Sequence, residues 1–183
     1  MNKKILIYSQ DVGGANYIAP SINYIVNRYP SLVVIHPLSE QTFKKHKIAF
    51  YPLSHFFDRI PPREAEIESF SLQNKISHLY CTTSSPYRDL TNSNFINISR
   101  KLNIPTFGIM DHWKGYDRFI NDHGEIDYFP DYIGCIDRVC RDKLIRLCKN
   151  PERVFVVGHP HLEKCFRRKK DERKKRMKWL IYS

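Results

Sequence analysis

The sequence predicts an α/β fold, a Rossmann-like doubly wound parallel sheet, on three observations. Short apolar runs of strand length recur along the chain, segments with helical apolar spacing separate them, and no two runs lie close enough to be joined as a hairpin. Strand one is expected to be central in a sheet of at least five strands with helices on both faces. The 183 residues, 42% apolar and 13% aromatic, supply a core for one domain, which excludes a disordered or collagen-like chain.

The first strand is the run ILIYS after Lys3 and Lys4, ended by the glycine-containing turn at residues 10–14. A helix over 15–28 follows, because Tyr17, Ile18, Ile22, Ile25 and Val26 recur at helical spacing, although Pro20 removes one hydrogen bond. Residues 32–36 give strand two, 40–47 a short polar helix and 48–53 strand three. Pro61 and Pro62 break the chain before a helix over 63–75 with Ala65, Ile67, Phe70 and Leu72, and strand four follows at 78–82. A polar helix over 89–102 carries an apolar stripe of Leu90, Phe95, Ile98 and Leu102. Strand five is 105–110, strand six 132–136, a helix covers 138–149, and strand seven, 154–157, ends at Gly158.

The tetrapeptide LIYS occurs at residues 6–9 and again at 180–183. The expected organisation is a Rossmann-like domain over 1–163, a basic connector over 164–178, and the first strand of a truncated second domain at 179–183. Lys and Arg number 30 against 19 Asp and Glu, a formal net charge of +11. Ten basic residues and two acidic ones fall within 164–178, so the body is nearly neutral. A whole-domain electrostatic footprint for nucleic acid is therefore excluded. The tail can be a solvated interdomain helix or a patch for phosphates or an anionic membrane, but it has too few apolar residues for an inserting stripe. No apolar run approaches the ~20 residues of a membrane span, and the N-terminus has no signal-peptide core, which reads as cytoplasmic. Cys81, Cys135, Cys140, Cys148 and Cys165 are odd in number without C-x-x-C spacing, so reduced thiols are expected.

In an open parallel sheet, ligands bind beyond the carboxyl ends of the strands. The segment DVGGAN can turn at Gly13 and Gly14 and aim backbone N–H groups at an anion or a sugar hydroxyl, with Asn16 beside them; the alternative is a bare strand-to-helix turn. In DHWKGYDRF, a carboxylate such as Asp111 could orient His112 as a base, Trp113 and Tyr116 can stack on a ring, and Lys114 and Arg118 can hold phosphate oxygens. The alternative there is a packing loop anchored by Trp113 and Phe119. His159 and His161 lack a third ligand, so no metal site is expected, and no hydrolase triad has support.

ILIYSQDVGGAN resembles the opening of the N-terminal domain of bacterial GT-B-type glycosyltransferase-like proteins, a superfamily that includes UDP-N-acetylglucosamine 2-epimerase and enzymes of surface-polysaccharide synthesis. DHWKGYDRF resembles a segment of the same set, and PDYIGCID with VFVVGHPHLE is similar to the stretch that closes the first domain. The resemblance covers essentially the whole chain. It implies an acceptor-side half of a two-domain enzyme, with no bound metal or cofactor needed for the chemistry. Asp11 or His112 would be the base, with Asp111 beside them and Gly13, Gly14 and Asn16 shaping the acceptor loop. The implied partners are a sugar acceptor, lipid-linked acceptors included, and a nucleotide-sugar donor held only with a second domain. A non-catalytic sugar- or phosphate-binding module and an epimerase relative stand as the alternatives.

Overall fold

The computed structural model describes residues 3–87, 89–160, 162, 163 and 166. Apart from Phe166, the basic segment 164–178 and residues 179–183 lie outside the described residues, as does His161. The elements in chain order are β1 (Lys4–Ser9), α1 (Val12–Val26), β2 (Ser31–Ile35), α2 (Glu40–Lys45), β3 (Tyr51–Pro52), α3 (Glu64–Gln73) and β4 (Ile76–Thr82). They continue with α4 (Thr91–Lys101), β5 (Thr106–Met110), β6 (Tyr132–Cys135), α5 (Arg138–Cys148) and β7 (Val154–Val156). The strands form one seven-stranded sheet in the order β3-β2-β1-β4-β5-β6-β7. Every pairing is parallel. Strand one, expected to be central, is third of the seven, and β4 takes the middle position; the sheet is doubly wound.

Continuous apolar strands arise because both faces of β1 are covered. Leu6 and Tyr8 join Val34, Leu79, Ile67, Phe70, Phe95 and Ile98 on the side of α3 and α4. Ile7 joins Ala15, Ile18, Ile22, Val33, Phe43 and Ile109 on the side of α1 and α2. A third cluster, including Met110, Phe119, Ile133, Cys135 and Leu144, packs α5 and the segment after β5 against β5 and β6.

Two local differences from the sequence reading have clear causes. Strand three shortens to Tyr51–Pro52, an edge strand in which Pro52 has no N–H to extend a ladder. Helix α1 begins at Val12 rather than at 15, because Asp11 caps it.

Candidate functional site

The strand order reverses between β1 and β4, so the segments leaving β1, β2, β4 and β5 gather at one carboxyl edge of the sheet. Asp11, in extended conformation at φ −117° and ψ 167°, is the N-cap of α1. Its Oδ1 accepts the Gly14 N–H at 2.8 Å, and its Oδ2 accepts from the Ser84 hydroxyl. DVGGAN is thus the first helical turn, and its glycines serve close approach rather than a turn. A methyl built on Gly13 would lie 2.5 Å from Asp111 Oδ2 and 3.4 Å from Asp11 Oδ1; one on Gly14 would lie 2.5 Å from Thr82 Cγ2. Asn16 turns back on its own helix, its Nδ2 donating to the Val12 carbonyl at 2.9 Å.

Beneath these residues lies a buried polar network that the sequence reading missed. Gln10 donates its backbone N–H to Thr82 Oγ1 at 3.2 Å and its Nε2 to the Asp89 carbonyl at 3.1 Å, while its Oε1 accepts the Asn92 N–H at 2.8 Å. The Asn92 side chain donates to the Thr82 carbonyl at 2.7 Å and accepts the Ser84 N–H at 3.2 Å. Ser39 Oγ reaches the Asp11 carbonyl at 3.1 Å. His36 Nδ1 accepts the Leu38 N–H, which puts the proton of the neutral ring on Nε2, 3.1 Å from Asp89 Oδ2. Burial works to raise the Asp89 pKa, but bonds from His36 and Thr91 outweigh it and hold the carboxyl below its ordinary value. The sequence signals were a glutamine directly after an apolar strand and the TNSN cluster at a helix start, each of which also fits an ordinary solvated position.

Asp111 follows β5 and is nearly buried, its side chain 14% exposed. Desolvation, and then the charge of Asp11, push its pKa up; Arg118, at 3.4 Å from Oδ1, opposes them without prevailing. Arg118 itself is committed within the fold. Its Nε donates to the Gly115 carbonyl at 2.8 Å and its Nη1 to the Thr83 carbonyl and to Thr83 Oγ1.

A carboxyl whose folded pKa is raised favours the native state when protonated, and that advantage is lost as pH rises through the folded value. Asp111→Asn is therefore expected to raise the melting temperature at neutral pH, by roughly 2–4 °C for each kcal/mol recovered. The gain should vanish below the ordinary carboxylate range, and thermal scans of both proteins from acid to neutral pH check it.

The outer part of DHWKGYDRF is more exposed. His112 Nδ1 accepts the Lys114 N–H at 3.1 Å, so the neutral ring carries its proton on Nε2. Trp113 is 39% exposed and donates Nε1–H to Asp137 Oδ2 at 2.7 Å. Tyr116 is half-buried against Cys140, with its ring 5.5 Å from Lys143 Nζ. Tyr17 donates to the Gly158 carbonyl, and its ring meets that of His159 at 4.6 Å with the planes tilted by 60°, which ties the segment after β7 to α1. The structure thus brings Asp11, Gly13, Gly14, Asp111 and Arg118 together and leaves His112, Trp113 and Lys114 on the outer side of the same segment. Among the described residues, no group of three or more His, Cys, Asp or Glu side chains is placed to hold a metal ion. No helix among them is long and apolar enough to cross a membrane.

No protein-family model matches the sequence, and comparison with curated proteins gives no match. Solved structures do match in fold. UDP-GlcNAc 2-epimerase from Neisseria meningitidis, bound to UDP-GlcNAc, superposes with a TM-score of 0.64 at 16% identity, over 86% of this chain and 46% of that one. A UDP-N-acetylglucosamine 2-epimerase from Listeria monocytogenes, itself a provisional assignment, gives 0.63 at 15%, over 88% and 46%. The glycotransferase of kitacinnamycin gives 0.57 at 11%, over 85% and 51%. This chain spans about half the length of the solved structures it matches. At these identities the likeness is one of fold: the chain is a Rossmann-like α/β domain that has the architecture of one half of a GT-B arrangement and fits a GT-B-like N-terminal domain.

Proposed function

We propose that this chain is the acceptor-side half of a sugar-nucleotide enzyme of GT-B architecture, in the line of cell-surface polysaccharide synthesis, and that Asp111 is its proton-transferring carboxyl. The observation that carries this reading is the placement of Asp111 at the carboxyl edge of the sheet, against Gly13 at the start of α1, desolvated and beside Asp11. A carboxyl raised above its ordinary pKa accepts a hydroxyl proton more effectively near neutrality than an ordinary one. Both oxygens of Asp11 are engaged by Gly14 and Ser84, which suits it to positioning. His112, with Nε2 as donor, suits a hydrogen bond to a sugar oxygen, and exposed Trp113 offers a stacking face.

The acceptor class includes lipid-linked sugars, and the basic segment 164–178 would meet their anionic surface. A donor nucleotide sugar would be held chiefly by a second half, and neither a cofactor nor a specific nucleic acid is needed. The epimerase neighbours favour a second reading, a half of a sugar-nucleotide epimerase, in which the same carboxyl would exchange a proton on the sugar ring.

An NMR titration with N-acetylglucosamine should shift the Gly13 and Gly14 amides with millimolar affinity, and Asp111→Ala should abolish the shifts. UDP-N-acetylglucosamine should bind the chain little more tightly than the free sugar. Micromolar or tighter binding of the nucleotide sugar would overturn the half-enzyme reading in favour of a self-sufficient binding module.

A further inference from the structure

The two edges of the sheet are finished differently. At one, β3 is two residues long and ends in Pro52, which has no N–H to offer a further strand. At the other, β7 and the residue after it present Phe155, Val156 and Val157, three consecutive apolar residues that are 45%, 45% and 48% exposed. Val157 donates its N–H to the Cys135 carbonyl at 2.9 Å, so the alternation of the ladder turns the backbone groups of Val154 and Val156 away from β6. Arg141 Nε takes the Val154 carbonyl at 3.1 Å. The outward N–H and C=O of Val156 have no partner among the described residues. Beyond Val157 the chain turns at Gly158, φ +76°, toward Tyr17 of α1 and leaves this edge open.

We propose that this edge is a homodimer interface, in which β7 pairs antiparallel with β7 of a second copy about a two-fold axis at Val156. The choice of occupant rests on the self-complementarity of the edge. An axis at Val156 lets the two copies exchange both N–H···O=C bonds of that residue, the closely spaced pair of an antiparallel ladder. The same register sets Phe155 opposite Val157 of the second copy, and Val157 opposite its Phe155, which gives two aromatic–β-branched pairs on one face. That face already carries the Tyr132 ring, 6.2 Å from Phe155. On the other face, Val156 meets its own counterpart.

Charge agrees with the same axis. Val156 is level with Cys135; α5 starts just beyond that level at Arg138, and Arg141 reaches the Val154 carbonyl on the other side of it. Arg138 and Asp142, one helical turn apart, line the groove along this edge, and neither has an ion pair among the described residues. The two-fold runs the α5 helices antiparallel, so each Arg138 approaches Asp142 of the other copy. A strand of another protein would find the Val156 backbone bonds, but not a matching apolar triplet and a matching pair of charges at once. Three residues a side make a small contact, so dissociation is expected at about 10 μM rather than in the nanomolar range.

The test is sedimentation velocity of the full chain from about 1 to 200 μM in about 0.15 M salt. The 21.8 kDa species is expected to give way to one of twice that mass as concentration rises. The Val156 amide should gain hydrogen-exchange protection in step. Val156→Lys, which sets two cations on the axis, should hold the chain at monomer mass with an unchanged circular dichroism spectrum. Arg138→Asp and Asp142→Arg should each weaken association about tenfold, and the double variant should recover it, which separates a lost contact from a lost fold. Monomer mass throughout the range, a dimer indifferent to Val156→Lys, or a double variant no better than the single ones overturns the proposal.

Discussion

Replacing Asp89 by alanine is expected to lower the melting temperature by roughly 10 °C at neutral pH, corresponding to about 3 kcal/mol. The side chains of His36 and Asp89 are 9% and 14% exposed, and they meet at 3.1 Å. Asp89 Oδ1 also accepts the Thr91 N–H at 2.7 Å and the Thr91 hydroxyl at 2.5 Å. Truncation would strip the partners from His36 Nε2 and from the first turn of α4 at once, and a buried polar group left unpaired carries its full desolvation cost. The sign with pH follows from the lowered Asp89 pKa. Stability from this carboxylate is present above the ordinary carboxylate range and is lost as pH falls through its folded value, so wild type and variant should converge in acid. Thermal unfolding followed by circular dichroism across that range measures both the gap and the convergence. A gap that stays constant down to strong acid would show that the pair is not the source.

The second large effect separates two adjacent glycines. In Gly14→Ala the new methyl meets Thr82 Cγ2 at 2.5 Å and Thr82 Cβ at 2.6 Å, atoms fixed to the end of β4, so α1 must move off the sheet. Overpacking of this kind costs about 3 kcal/mol, against roughly 1 kcal/mol gained from alanine's helix propensity. The expected net is a fall of about 6 °C in melting temperature. In Gly13→Ala the methyl meets Asp111 Oδ2, the far end of a side chain that can rotate away. Its melting temperature should hold or rise slightly, while the sugar-dependent NMR shifts disappear because the carboxylate has been displaced. Equal destabilisation by both substitutions would mean that the α1 approach is governed by something other than these contacts.

The order of strands and helices was legible in the sequence because it depends on periodicity, a local property. Runs such as ILIYS, buried on both faces, and segments such as the Arg138–Cys148 helix, with one buried stripe, carry their environments in their own spacing. That DVGGAN and DHWKGYDRF reach the same edge was also legible, since each directly follows a strand of a parallel sheet. The candidate site was legible only as a set of segments. Residues 11, 13, 14, 111 and 118 were named from their chemistry, but the sequence could not say that Asp11 would become a helix cap, that Arg118 would be spent on Thr83 and Gly115, or that the glycines would admit Asp111 and Thr82.

Those outcomes belong to the tertiary structure, because each depends on a group brought from a distant part of the chain. Gln10 and Asn92, 82 positions apart, and His36 and Asp89, 53 apart, meet only because β4 is inserted beside β1. A polar residue in a sequence looks the same whether water or a buried amide will satisfy it, and the strand order decides which. The sequence by itself determined a doubly wound parallel sheet and the edge at which the candidate segments gather. Only the packing of α1 against the ends of β4 and β5 decided that Asp111 would be desolvated beside Asp11, since burial and nearby charge, the causes of its raised pKa, exist only once those elements are in contact.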